Sequence, residues 1–293
     1  MSASEPYVTY LELRESTAAG DAGAGLSHSS SGLVLLHVLE LAAYGEPRGA
    51  VTIVHDAGEH GGRYLDLARA LAGAGWAIAL PDLRGHGRSE GERGHCAGVN
   101  EVVRDLGDVQ DHLAYRQPDA PKVLVGQGLG ALWCLAYACK RPEGVAALVL
   151  SAPLFEPRFE PPAKAGGLKG LFKKVGPTSP GRIGWSGADL ARDEAAARAR
   201  AADPLVHDVI TLRASEEAAQ AAARYGPRLG SLAMPVLVLH GAEDRVAKLD
   251  GLARSAGVGV ERFEGARHDL LHDASARAVE ATILRWLEEK LPR

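Results

Sequence analysis

The sequence predicts an α/β fold, a mostly parallel sheet with helices on both faces. Three observations carry this. Short, almost wholly apolar runs (AVTIV, WAIALPD, KVLV, VAALVLS, PVLVLHG) have the character of strands buried on both sides. Segments of helical periodicity alternate with them, and glycine-rich turns lie at their ends.

Tyr7 to Leu13 alternates like a strand, and Leu33 to Leu39 is a second apolar run. STAAGDAGAGLSHSSSG between them reads as the loose tip of a hairpin. Ala50 to Val54 is a buried strand, followed by the polar loop HDAGEHGG. A helix from about Arg63 to Ala74 comes next, with Leu65, Leu67, Ala68 and Leu71 on its inner face. After the strand WAIALPD, the segment LRGHGRSEGERGHC is too rich in glycine and charge for regular structure. A helix from about Asn100 to Tyr115 leads into KVLV. Beyond VAALVLSAP the character changes: Phe155 to about Pro180 is crowded with Pro, Gly and Lys. Gly187 to Ala223 is Ala- and Arg-rich with helical spacing, broken at Asp203-Pro204. This stretch reads as an insertion between two sheet units, without a sheet of its own. The sheet pattern resumes at PVLVLHG and VGVERFEG. The chain closes on a helix from about Ala274 to Leu291, apolar at Val279, Ile283, Trp286 and Leu287. Right-handed crossovers place the loops after the parallel strands along one edge, where ligands bind.

With 293 residues, 46% hydrophobic and 24% charged, the chain has an ordinary globular composition and can bury a large core. A net charge of -4 gives no electrostatic reason to expect nucleic acid. Cys96, Cys134 and Cys139 are too few and too irregular for a disulfide framework, and read as small apolar residues in a reducing compartment. MSASEPYVTYLELRE lacks the basic start and apolar core of a signal peptide, and no apolar run is long enough to span a bilayer. The expectation is a cytoplasmic chain without an integral membrane segment. KAGGLKGLFKKVG sets lysines beside Leu and Phe, but its glycines favour a solvated loop over a membrane-binding helix.

The centre of the chain is LVGQGLGALWC, Leu124 to Cys134, where a strand turns sharply into a helix. A nucleophile elbow has this form, G-x-S-x-G, with glycines where backbones approach closely. The frame is present as Gly126, Gln127, Gly128, Leu129 and Gly130, and Gly128 stands at the serine position. Gly126, Gly128 and Ala131 also satisfy the dinucleotide pattern G-x-G-x-x-G/A. The next strand, however, ends at Ser151 and Ala152 with no carboxylate to hold a ribose, and no cofactor is expected. Asp244 in GAEDRV and His268 in GARHDLLHD each follow a strand, in the order nucleophile, acid, base. In such chemistry the carboxylate fixes the imidazole, which takes the nucleophile's proton. The two oxyanion donors would be the backbone N–H groups of Ala57, after AVTIV, and of Leu129. His268-Asp269-x-x-His272 approaches the zinc pattern H-E-x-x-H, but it lies in a loop with Asp for Glu, so no metal is expected.

Taken together, these motifs resemble the monoacylglycerol lipase and lysophospholipase branch of the α/β-hydrolases, also described as serine aminopeptidase-like. HDAGEHGGRY (His55 to Tyr64) is similar to the family's HGxGEHSGRY, and PDLRGHGRSEGERGH (Pro81 to His95) to its DxxGHGxSxGxRGH. GQGLGA corresponds to GHSMGG, and ADPLVH (Ala202 to His207) to the DPLV segment that closes the lid. The resemblance runs from about Val34 to the C-terminus. It implies one α/β-hydrolase domain over 1–293, with an eight-stranded sheet and a helical lid at 155–229 over an acyl pocket.

The departures fall on the centre. Gly128 replaces the nucleophile, Gln127 the preceding His, and Asp56 the glycine beside the oxyanion loop. Covalent acyl transfer needs an attacking oxygen that glycine lacks; in another fold, losing the nucleophile cost about 10⁶ in rate. An engineered serine knock-out would leave Gln127 and Asp56 unexplained, which favours a natural loss. Asp56 either faces a developing oxyanion, at a cost of roughly 3 kcal/mol for about 5 Å and an effective dielectric of about 20, or turns away to cap a turn. Cys134 and Ser89 are the nearest alternative attackers by type, but both read as structural. The expectation is a catalytically impaired relative that retains a lidded pocket for an acyl ester or lipid. Two alternatives stand beside it: an active carboxylic ester hydrolase using water, or a non-standard nucleophile, with the His268–Asp244 pair; and a non-enzymatic regulatory or partner-binding protein.

Overall fold

The computed structural model of the chain describes residues 5–14, 33–163, 175–249 and 257–292. The hairpin tip lies outside these residues, as does all of KAGGLKGLFKKVG except Val175 and Gly176.

The main sheet has eight strands: β1 (Tyr7–Arg14), β2 (Leu33–Leu41), β3 (Gly49–Val54), β4 (Trp76–Pro81), β5 (Lys122–Gln127), β6 (Ala147–Ser151), β9 (Val236–Gly241) and β10 (Val258–Phe263). Their spatial order is β1-β2-β4-β3-β5-β6-β9-β10. β1 and β2 form an antiparallel pair, β2 joins β4 antiparallel, and the other pairings are parallel. The fold is that of the α/β-hydrolases. Every residue of β3, β4, β6 and β9 is buried, which explains their continuous apolar sequence. β10 closes the sheet as an edge strand, and carries Glu261 and Arg262 where a neighbouring strand would otherwise add.

Helices α1 (Leu65–Gly73) and α7 (Ala276–Lys290) pack together on one face. On the other lie α2 (Val99–Arg116) and α3 (Gly128–Lys140). α3 is apolar all round, and every residue from Gly128 to Cys139 is buried, because the sheet lies on one side and α2 and α6 (Leu212–Tyr225) on the other. β3 is paired to β4 on one flank and to β5 on the other, so the chain reverses its winding direction between β3 and β5. Open α/β sheets form their ligand crevice at such a point, beyond the carboxyl ends of the strands. Asp56 and Gly128 follow these two strands.

Between β6 and β9 the chain leaves the sheet. Here lie α4 (Gly187–Leu190), closed by a reciprocal Ser186–Asp189 capping box, then α5 (Glu194–Ala202) and α6. This stretch also carries a two-stranded ribbon, which the sequence does not announce. Antiparallel strands β7 (Pro180–Arg182) and β8 (Val209–Thr211) pair with each other. Three residues per strand are too few for an alternating pattern to register in sequence.

Candidate active site

The turn from β5 into α3 is a sharp one. Gly128 sits at φ +54°, in the left-handed region that glycine enters without steric cost. Gly130 serves a different need: a Cβ there would lie 2.3 Å from the His55 carbonyl oxygen and 2.4 Å from that of Val54. The glycine lets α3 press against the end of β3 and brings the two loops together.

At Gly128 itself, a Cβ would meet Asp56: 2.1 Å from Oδ1, 2.2 Å from Cγ and 2.4 Å from Oδ2. The Asp56 carboxylate therefore occupies the volume in which a side chain at position 128 would begin. Its orientation is fixed at both oxygens. The N–H groups of Ala57 and Leu129, the two expected donors, both donate to Oδ1 at 2.7 Å. Oδ2 lies 3.0 Å from His268 Nε2. On the far side of the ring, His268 Nδ1 is 3.0 Å from Asp244 Oδ2, while Asp244 Oδ1 accepts from the N–H groups of Val246 and Ala247. The result is a continuous chain, Asp56–His268–Asp244, with the imidazole completely buried. Burial alone would push the His268 imidazole down. The charge and hydrogen bond of Asp244, followed by those of Asp56, outweigh it and hold the group up at about 10. Asp244 is correspondingly held below the usual carboxylate range: burial raises it, and the charge and hydrogen bond of the imidazolium, together with the N–H groups of Ala247 and Val246, outweigh that.

Of the two orientations expected for Asp56, the one that turns away is not found: the side chain faces the oxyanion position and fills the pair of donors itself. For the alternative of a hydrolase using water, the space above Gly128 is not open to it, because the Asp56 carboxylate lies there. Backbone restraints hold residue 56 in place. His55 Nδ1 is 2.7 Å from the Asp56 carbonyl oxygen, and His55 Nε2 accepts from the Leu83 N–H. The Asp56 N–H donates to the Tyr64 hydroxyl, which in turn donates to Glu59 Oε2 at 2.7 Å. Glu59 is buried, but the guanidinium groups of Arg63 and Arg200 hold its carboxyl well below the usual range.

Gln127 donates from Nε2 to the His268 carbonyl oxygen at 2.8 Å, tying the elbow to the imidazole loop. Cys134 is buried in the α3 packing. Ser89 accepts from the His37 N–H and donates to the Asp82 carbonyl oxygen, as a loop-holding residue would. His272 pairs with Asp269 and the Arg63 carbonyl oxygen rather than with His268. Among the described residues no group of three His, Cys, Asp or Glu side chains is placed to hold a metal.

One contributor escaped the sequence analysis. Trp185 sets its ring edge-on to His268, with centroids 5.3 Å apart. It comes from a stretch without periodicity, where nothing in the sequence marks it. Further along the same insertion, the His207 N–H donates to the Gly58 carbonyl oxygen, and Asp203 pairs with His60 at 2.8 Å. A cavity of about 30 Å³, room for one or two waters, lies beside the donors. Ala57, Leu129 and Trp133 line one side of it, and Ile183, Val209 and Ile210 of the insertion the other.

Comparison with known proteins is decisive about kinship. The profile of the family described as serine aminopeptidase, S33 (Hydrolase_4) matches residues 45–275. The chain belongs to that family. Its relatives include the monoacylglycerol lipase of Mycolicibacterium smegmatis, 29% identical over 84% of this chain and 90% of that protein. The monoglyceride lipase of Mus musculus is 32% identical over 77% of each chain. Among solved structures, the monoacylglycerol lipase of Paleococcus ferrophilus superposes with a TM-score of 0.74 at 27% identity, covering 87% of this chain and 99% of that one. The family is one of serine hydrolases and lipases.

Proposed function

We propose that this chain is a monoacylglycerol-lipase-like α/β-hydrolase that no longer hydrolyses carboxylic esters through an acyl-serine. Its ligand would be a monoacyl ester, lipid or similar acyl compound, held beneath residues 155–229 acting as a lid. The observation that carries the reading is the Asp56 carboxylate lying in the space above Gly128 with both oxyanion-type donors on one oxygen. An ester carbonyl has neither an attacking hydroxyl nor a free pair of donors to meet. In the roles assigned by the resemblance, Asp244 and His268 are the acid and base, Ala57 and Leu129 the oxyanion donors, and Gly128 the vacant nucleophile position. Lipase relatives and the apolar flank of the neighbouring cavity support an acyl ligand. Because that cavity is small, an acyl chain enters only as the insertion moves off Gly58 and His60.

The test is turnover of p-nitrophenyl butyrate and a monoacylglycerol by the purified chain, alongside labelling with a fluorophosphonate probe. Neither turnover nor label is expected, while a monoacylglycerol should raise the melting temperature. Ordinary ester turnover or a covalent label would overturn the loss of ester chemistry. No thermal shift with any acyl ligand would overturn the binding half.

A further inference from the structure

The geometry points to Asp56 as a nucleophile in its own right: we propose that its Oδ2 attacks the saturated carbon of an epoxide, making this chain an epoxide-opening hydrolase. The inference goes beyond the lost ester chemistry and does not depend on which acyl ligand binds.

A carboxylate that merely filled a hole could point either way. This one is arranged as a carboxylate nucleophile needs to be. Oδ1 receives two backbone N–H groups, from Ala57 and Leu129, which fix the plane of the carboxylate. Those donors are also where negative charge would collect if Cγ became tetrahedral. Among the described residues Oδ2 has one hydrogen-bond partner, His268 Nε2, and a carboxylate oxygen so engaged retains a second lone pair. The exchange of residue types is reciprocal. The family pattern has glycine at 56 and a nucleophile at 128; here the side chain stands at 56 and the glycine at 128, and the carboxylate occupies the vacated volume. The Asp244–His268 pair is retained in bonding order beside it.

The electrophile follows from the proton. A carbonyl ester would give a mixed anhydride with Asp56, a poor intermediate. An alkyl halide leaves without needing a proton, and would leave His268 charged and unable to activate water. An epoxide needs both groups as the structure holds them. Oδ2 forms a bond to a ring carbon, the carbon–oxygen ring bond breaks, and the ring oxygen takes the proton from His268 Nε2. The imidazole, now neutral and oriented by Asp244, removes a proton from water as the water oxygen bonds to Asp56 Cγ. Charge develops on Oδ1 between the two N–H groups. Collapse breaks the bond from Cγ to the former Oδ2, and the departing alkoxide takes the remaining proton of the added water. A vicinal diol leaves, carrying the old carboxylate oxygen; Asp56 keeps one oxygen from solvent, and His268 is again protonated.

The test uses 1,2-epoxybutane, a small terminal epoxide, with the full chain in ¹⁸O-water. Repeated turnover should place ¹⁸O in the Asp56 carboxylate, read by mass spectrometry of the peptide that contains it. His268→Gln, which can neither protonate nor activate water, should form adduct slowly and then retain one epoxide equivalent on Asp56. Asp56→Asn should show neither. An unlabelled Asp56 peptide in both the wild type and a folded His268→Gln would overturn the proposal, and Asp56 would then be an internal plug. Should His268→Gln fail to fold, the wild-type ¹⁸O result decides alone. Ester turnover, measured separately, bears only on the loss of serine chemistry.

Discussion

Returning a serine to position 128 should fail while Asp56 is present and succeed in part once it is gone. In Gly128→Ser, the new Cβ would fall within 2.4 Å of three Asp56 atoms, so the carboxylate must leave. It would give up hydrogen bonds from Ala57, Leu129 and His268. At roughly 1.5–3 kcal/mol for each bond to a charged group, partly offset by rehydration, the loss is about 4–6 kcal/mol. A left-handed non-glycine residue adds about 1–2 kcal/mol. For a domain of this size the melting temperature should fall by roughly 10–20 °C. A serine that did fit beside Asp56 would still find its base charged. With His268 held up at about 10 by Asp244 and Asp56, the imidazole is mainly protonated at pH 7. The double variant, Asp56→Gly with Gly128→Ser, removes the clash, frees both donors and lowers the imidazole toward neutrality. Freeing oxyanion donors alone is worth about 10²–10³ in rate. We therefore expect p-nitrophenyl butyrate turnover at least about 100-fold above that of the single variant, with the fluorophosphonate label on the serine introduced at position 128. Equal and negligible activity in both variants would refute the argument, as would a single variant that melts with the wild type.

Other outcomes follow from the same contacts. His268 sits at about 10 when folded against an ordinary 6.5, so its share of stability is complete below about pH 6.5 and is lost as pH rises through 10. Unfolding free energies from urea titrations between pH 7 and 9.5 should fall by up to about 1.4 kcal/mol per pH unit, less steeply in Asp56→Asn, which removes one carboxylate from the ring. Tyr64→Phe takes a donor from buried Glu59 and an acceptor from the Asp56 N–H, and chemical denaturation should register a loss of about 1–3 kcal/mol. Gly130→Ala puts a methyl group against two carbonyl oxygens of β3 and its loop, and thermal unfolding should show it to be among the most damaging single changes in the elbow.

How far the sequence carries depends on what each feature requires. The central strands are legible because burial on both faces leaves only apolar residues available to them, and α3 because it is apolar throughout. The placement of Asp244 and His268 is legible because parallel strands deliver their following loops to one edge. Trp185 is not, since its partner His268 is distant in sequence and its own segment lacks a repeating pattern. The ribbon of β7 and β8 is likewise too short to announce itself. The Asp56 side chain is the instructive case. Read singly, Asp56 is an unwelcome charge and Gly128 a missing hydroxyl. Read as a pair, they share one small volume: the Asp56 carboxylate lies where a side chain at position 128 would begin. The Asp56 carboxylate meets both backbone donors and the imidazole at once, a relation between distant residues that neither residue type announces alone. An account of the site therefore has to begin with Asp56 as well as with Gly128.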